Sequence, residues 1–527
     1  LSAQRSKPSV LILLAVLRGV VCQAQDAPPG LALMDAVRLT LAHDPNVAIQ
    51  EARLDVARGA LLVAAGQFDP VVASQVTRAD TNLPLSLLLN QDLRTLQTTA
   101  SVTQQLRNGL SIEPQLNIDR TQDLTAGSAA LTLGTLTFQL RQPLLRGRGR
   151  DAVQAAEHSA EREVAATGLD LRHTVSQRVM VVAAQYWQAR AAESSLDVLR
   201  ANERSARELL ANTRKLIAAD EVPAADVVQL EASLASAESA RIGGERDLFA
   251  QKQSLGREIG LDPAEIAVLP LPADPFPGVR SEEVPPDAQA RGFMTLALGH
   301  RADLEAARQR VAEADFQRKA AENALKPQLD LILAPGYTGV TSGGGTRDYF
   351  SPLVHDIPGA STSISLALSW PTFNQAARGA LLQVDATRRQ DALAVDLLAK
   401  GIGADVPAAL DAVGRDALQL DRAREAVRLY ERTVGNEEKK LKGGTSTLLD
   451  LITQRDRLVA ARQTEVAAEL ALALALLDLR FETGTLIGNG GQGGNGGNAG
   501  NAGQGGQLGE IEPARLTTLP SLQEDGR

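Results

Sequence analysis

The chain repeats itself, and no other feature limits its possible folds so tightly. Residues 43–72 (HDPNVAIQEARLDVARGALLVAAGQFDPVV) lie without a gap on residues 300–329, which pairs Val47 with Leu304, Phe68 with Leu325 and Pro70 with Pro327. The stretch LRQPLLRGRGRDA from Leu140 answers LSWPTFNQAARGA from Leu368, so Pro143 meets Pro371 and Arg150 meets Arg378. A third match sets residues 217–231 on 441–455, with Asp226 on Asp450. Each half then reads helix, proline, strand-like stretch, proline, very long helix, turn, helix. Repetition on this scale predicts two copies of one structural unit.

The long helices come next. From about residue 150 to 218 there is no proline, and the only glycine is Gly168. Val175, Val179, Val182, Tyr186 and Ala189, followed by Leu196, Leu199, Ala206, Leu210 and Ile217, form a coiled-coil-like seam. A helix of about 70 residues would be about 100 Å long, beyond any globular core. A turn at residues 220–223 returns the chain into a helix over 224–259, with Pro223 suited to a first helical position. Residues 375–442 carry the second long helix, with a seam that includes Ile402, Val406, Ala409, Val413 and Leu420. Pro407 lies inside it and is expected to kink it. Gly443-Gly444 then turns the chain into residues 447–483. Abundant alanine and leucine, with only 3% aromatics, suit closely packed helices.

The strand-like stretches lie between the prolines. Residues 71–78 alternate loosely, 81–97 read as a loop, 98–107 and 111–119 read as a hairpin about Asn108-Gly109, and 130–142 alternate clearly. A chain that enters and leaves on one side must cross an even number of times, two or four. The reading here is two crossings, with the hairpin as an extension. In the second half, strands at 328–335 and 361–370 flank a glycine-rich loop at 341–346. Pro70, Pro143, Pro327 and Pro371 fall where strand must become helix. Proline offers no amide to a ladder and disfavours helix in the residue before it, so it punctuates well there.

Bulk properties narrow the function. Arg5 and Lys7 precede a short apolar run over 10–17, and Cys22-Gln23-Ala24 resembles a cleavage site, so residues 1–24 read as an export signal. Cleavage after Ala24 and lipidation of Cys22 both remain open, with Val21 bulkier than is usual before a lipidated cysteine. Removing the signal removes the sole cysteine. No later stretch is apolar enough for a membrane helix, so any crossing must use strands. A few strands cannot close alone without exposed edges, which requires several copies of the chain. The net charge of -9 is spread along helix faces, and nothing resembles a nucleic-acid footprint. The histidines lack metal spacing, no catalytic triad is visible, and a GxGxxG match at 488–493 lies in low-complexity sequence with no preceding strand. The expectation is a non-enzyme without cofactor or metal. The domains expected are 1–24 (signal), 25–260 (first repeat), 261–289 (Pro/Asp-rich connector), 290–487 (second repeat) and 488–527 (Gly-rich disordered tail).

The duplication, the QPLLRGRG and WPTFN junctions and the segment LKGGTSTLLDLITQRDRL together resemble the TolC-like outer-membrane efflux protein family, over about residues 31–486. The resemblance implies a mostly α fold with β structure. In it a duplicated helix-strand-helix protomer contributes long coiled-coil helices to an α-barrel and four strands to a trimeric transmembrane β-barrel. It implies a homotrimer in the bacterial outer membrane, in contact with lipid and reaching into the periplasm. Its partners would be a periplasmic adaptor and an inner-membrane transporter, and its role the exit duct for small molecules or proteins. It also implies that the second hairpin's tip gates the duct. There this chain keeps Gly444 and Asp450, but has Leu441 for an aromatic, Ser446 for an arginine and Thr453 for a second aspartate. Gate residues would thus be Asp450, Thr453 and Leu441. Adaptor contacts would be Asp220, Val222, Gly443, Gly444, Ser446 and Leu449. Asp450 also admits a plainer reading, as a solvated carboxylate. The alternative function is a non-conducting envelope coiled-coil protein, an adaptor or tether.

Overall fold

The computed structural model describes residues 30–86, 89–218, 226–285, 289–354, 359–443, 445–488 and 511–521. In chain order the main helices and strands are α1 (Leu33–His43), α2 (Pro45–Gly66), β1 (Val71–Ser86), β2 (Leu89–Gln105), β3 (Ser111–Asp123), β4 (Leu131–Pro143), α3 (Arg150–Val153), α4 (Ala155–Ala218), α5 (Asp226–Ile259) and α6 (Pro263–Val268). There follow α7 (Ala290–His300), α8 (Ala302–Ala324), β5 (Gln328–Ser342), α9 (Thr346–Phe350), β6 (Gly359–Ser369), α10 (Gln375–Lys442) and α11 (Leu448–Glu482). Two compact units divide the chain: residues 49–171 with 302–399, and residues 1–48, 172–301 and 400–527.

The first of these units holds one antiparallel sheet of six strands in sequence order, β1 to β6. This corrects three expectations. The stretch 81–97 is not a loop but the end of β1 and most of β2. The hairpin about Gly109 is not an extension, because β2 and β3 are both paired within the sheet. Six strands, not four, come from one chain. Loop-like composition misled because Pro84 and a run of polar residues sit in β1, at the end of the sheet away from the helices, where ladder pairing rather than apolar alternation holds the strands.

Strand β5 also outruns its expected end at Pro335 and continues to Ser342. Pro335 still faces Thr362 on the β6 side, and it interrupts only the β4 ladder, which jumps from Thr137↔Gly336 to Leu140↔Leu333. Pro114 does the same to the β2–β3 ladder, between Ser101↔Gln115 and Gln104↔Ile112. Each proline lacks the amide that one neighbour needs, so one ladder loses bonds and the other is spared.

The other unit is helical. On α4, Val175, Val179, Val182, Tyr186, Ala189 and Leu196 are buried, as the seam requires, and on α10 so are Ile402, Val406, Ala409, Val413 and Leu420. Pro407 lies within the continuous helix α10. Trp187 is fully buried, stacked on Phe276 of the connector at 5.4 Å. The hydroxyl of Tyr186 lies 2.9 Å from the Leu31 carbonyl and accepts from the amides of Ala273 and Asp274, which pins the connector against the helix. The chain was expected to be unstructured from residue 488, yet residues 511–521 pack on α11. Leu516 is buried there, and Arg480, 2% exposed, donates to the carbonyls of Thr518 and Leu519 and to the Thr518 hydroxyl.

Candidate channel wall and hairpin tip

Side chains alternate across a strand, and paired residues share a face, so the register sorts the sheet into two surfaces. One face carries Val72, Val102, Leu116, Leu136, Leu140, Leu333, Ile364, Leu366 and Leu368. The other carries Gln75, Thr77, Thr99, Ser101, Gln115, Asn117, Thr135, Thr137, Ser361, Ser363 and Ser365. Toward the end away from the helices the apolar face gives way to charge, with Arg78 and Arg94 paired to Asp80. An apolar band backed by a polar surface, which here also carries Glu113, Asp119, Arg141 and Asp330, is what a wall between lipid and water needs. Trp370 directly follows β6 and is 69% exposed, the position of an interfacial anchor.

The four junction prolines lie where the sequence placed them. Pro70 and Pro327 immediately precede β1 and β5, Pro143 ends β4, and Pro371 follows β6 by two residues. Near them, Arg146 donates to Gln328 at 2.5 Å and its amide to the Pro327 carbonyl, so it serves the junction itself. Among the described residues, β1 pairs only with β2, and β6 only with β5. Every residue of β6 is exposed, as is nearly every described residue of β1.

At the second hairpin's tip, α10 ends at Lys442, with the Gly443 amide on the Lys439 carbonyl and the Thr445 amide on the Lys440 carbonyl. Thr447 caps α11: its hydroxyl accepts from the Asp450 amide and donates to the Asp450 carboxylate at 2.6 Å, which also accepts the Thr447 amide. This capping box gives Asp450 a structural role the sequence reading did not assign. The Thr447 hydroxyl, then its amide, hold the Asp450 carboxyl below its ordinary pKa, so it is charged at neutral pH while fully exposed. Ser446 bonds Glu437, whose pKa that bond lowers. Leu449 is 54% exposed, Leu441 is half-buried, and Thr453 spends its hydroxyl on the Leu449 carbonyl one turn back. Of the residues expected to act at the tip, Asp220, Val222 and Gly444 lie outside the described residues. Buried Ile452 packs with Leu210 and Leu230 of the first hairpin. Arg455 joins the helices too, donating to Glu438 at 2.7 Å and to the Ser205 carbonyl. Sequence reasoning missed it, although an arginine just past a capped turn was a usable signal.

Among the described residues no group of three or more histidine, cysteine or acidic side chains is placed to hold a metal ion, and no helix is long and apolar enough to cross a membrane. A two-faced sheet joined to long helical hairpins defines a class of envelope channel proteins. The profile of the family described as outer membrane efflux protein matches residues 294–485. The protease secretion protein PrtF of Dickeya chrysanthemi is 25% identical over 316 residues, covering 59% of this chain and 65% of that protein. Two solved structures share the fold. The outer membrane protein VceC of Vibrio cholerae has a TM-score of 0.60 at 19% identity, over 86% of this chain and 96% of that one. The Campylobacter jejuni CmeC outer membrane channel has a TM-score of 0.60 at 13% identity, over 92% and 94%. Residues 294–485 thus match the outer membrane efflux protein family, and the chain shares the fold of these outer-membrane proteins. The chain is an outer-membrane protein that reaches into the periplasm, and CmeC, which shares its fold, is an outer membrane channel.

Proposed function

We propose that three copies of this chain form the exit duct of a multi-component export system, the six-stranded sheets closing into one barrel and the helical hairpins into a tunnel. The observation that carries this reading is the open, two-faced sheet. Its outer strands leave unpaired amides and carbonyls that lipid cannot satisfy, so edge must meet edge on another copy. The adjoining helices support the same closure. Helix α2 leads into β1 and exposes Val56, Leu62 and Val63, while α10 follows β6 and exposes Leu382, Leu393 and Leu397. Pairing β6 of one copy with β1 of the next sets these two apolar stripes side by side. The duplicated sequence supports two similar hairpins per copy.

The tips are then the surface for a periplasmic adaptor and an inner-membrane transporter, and Asp450 from each copy lines a negative entrance. The cargo is small molecules or proteins, and the likeness to a protease secretion protein supports the latter. The test is cysteine crosslinking between Gln75 of β1 and Ser363 of β6 in whole cells. A covalent three-copy ladder in the outer-membrane fraction is expected; a chain recovered folded, monomeric and soluble overturns the reading.

A further inference from the structure

Two strands on the first side would suffice to join the helices, yet four are present, and the added pair is fastened at both ends. At the helix end, the β2–β3 turn is held by Arg107, whose guanidinium forks onto Glu157 at 2.7 and 3.0 Å and lies over Phe68 at 4.7 Å. Gly109 sits there at φ +94°, so close to the junction that a Cβ would come within 2.5 Å of the Gly147 carbonyl. At the opposite end, the β5–β6 connection grips the same hairpin on the face that carries Val102 and Leu116, beyond its apolar band. Tyr349 shares a hydrogen bond with Thr98 at 2.6 Å, and Arg120 donates to the Gly345 carbonyl at 2.8 Å. That connection is itself seated where Gly134 and Gly339 leave room for Pro352, since a Cβ on Gly339 would lie 2.2 Å from its carbonyl oxygen. β2 and β3 therefore span the whole sheet, and their polar and apolar alternation continues that of their neighbours.

We infer that this hairpin widens the outer-membrane pore, and that the mouth admits cargo of hydrated-polymer size, a polypeptide chain rather than only small solutes. The inference rests on the trimeric reading above. Six strands from each of three copies make eighteen. With strands about 4.8 Å apart and tilted about 40°, such a barrel is about 36 Å across its backbone, against about 24 Å for twelve strands. Side chains of about 5 Å on each wall leave a lumen of about 26 Å against about 14 Å. Barrels of 16–18 strands leave an open aqueous channel. The wall here is lined mainly by Thr, Ser, Gln and Asn, with Glu113, Asp119, Arg141 and Asp330 on the same face.

The test uses the full chain with Cys22→Ser, which removes its one native cysteine. Single cysteines are placed on the polar face (Gln97→Cys, Asn117→Cys) and the apolar face (Val102→Cys, Leu116→Cys), with Ser363→Cys and Ile364→Cys on β6 as controls. A membrane-impermeant maleimide is then added to cells. The expectation is labelling about tenfold faster on the polar face of all three strands, because lipid shields the other. Equal labelling of both faces on β2 and β3, with alternation kept on β6, overturns the widening alone. Loss of alternation on β6 as well overturns the barrel reading. In planar bilayers, deletion of residues 89–123 should lower the size of polyethylene glycol that enters from the outer side; an unchanged cut-off also overturns the widening.

Discussion

The stretch between Pro70 and Pro143 and the stretch between Pro327 and Pro371 connect helices of the same kind with different amounts of chain. The first supplies four strands, the second two. Both begin and end at proline-marked junctions, so what is held constant is the return of the chain to one side, not the number of times it crosses. The shorter stretch spends its length on a connection that folds back over the sheet, through Tyr337 on the Leu353 carbonyl at 2.9 Å and through Tyr349. Added strands and the clasp that binds them thus sit on opposite halves of the chain.

Elsewhere the halves use one device twice. Helix α1 stops at His43 and α7 at His300, and in each the imidazole Nδ1 lies 2.9 Å from the carbonyl four residues back. Gly260 (φ +87°), after α5, packs on His43, and Gly484 (φ +70°), after α11, packs on His300. The ion pair beside each break is reversed. Asp44 of the first break takes Arg178 from α4, whereas Arg301 of the second gives to Glu482 of α11. The chain after each hairpin is then pinned by a different residue, Tyr186 for the connector and Arg480 for the tail.

That last difference should give the largest effect. Arg480→Ala removes three charge-assisted bonds from a buried guanidinium to Thr518 and Leu519, and the expected cost is about 2–4 kcal/mol. Removing residues 489–527 should lower the melting temperature comparably, while shortening only the stretch 489–510 should leave it unchanged. Equal melting of the truncated and intact chains would show that residues 511–521 contribute nothing.

The paired glycines should separate next. In Gly484→Ala a Cβ would stand 2.8 Å from the His300 carbonyl carbon, but in Gly260→Ala the closest atom is 3.3 Å away. Both pay a left-handed penalty of about 1 kcal/mol, and the former adds overpacking of about 1–2 kcal/mol. Denaturation midpoints for the two variants check the order, and a larger loss at Gly260 breaks the comparison.

A smaller effect concerns pH. Glu313, which aligns with exposed Val56 of the first half, is pushed up to about 7 by burial and by the facing Glu163, with Asp391 adding to the shift and Ser159 opposing it. Between its ordinary value of 4.5 and about 7 the folded chain holds a proton that the unfolded chain has released, so stability falls as pH rises through that window. Glu313→Gln should flatten the fall between pH 5 and pH 8 in thermal melts, and an unaltered slope would assign it to other groups. The smallest change expected is in selectivity. Asp450→Asn should reduce cation preference in single-channel recordings, with Asp226→Asn reducing it less; the opposite order would exchange the roles of the two hairpins.

Much of this was legible in the residues. Apolar spacing on α4 and α10 marked the buried seams, because burial of one helix face repeats every three to four residues whatever lies opposite. The junction prolines marked strand ends, because a missing amide acts locally. Pro335 and Pro114 were harder, since whether a proline ends a strand depends on which neighbour needed its amide. Arg480, alone in an apolar run, was not read as a buried donor, because its partners lie 38 and 39 residues further on.

The sequence by itself determined the repeat, the helical seams, the turn at Asn108-Gly109 and the turn after Lys442, all of which rest on patterns within a few residues or a direct repeat of them. Only the tertiary structure decided that β2 and β3 join the sheet, that the tail returns to Arg480, and that Tyr349 reaches Thr98. Those outcomes depend on pairings between residues tens to hundreds of positions apart. The stretch 81–97 carries little alternation to announce it, so its place was set by the ladder it completed rather than by its own pattern.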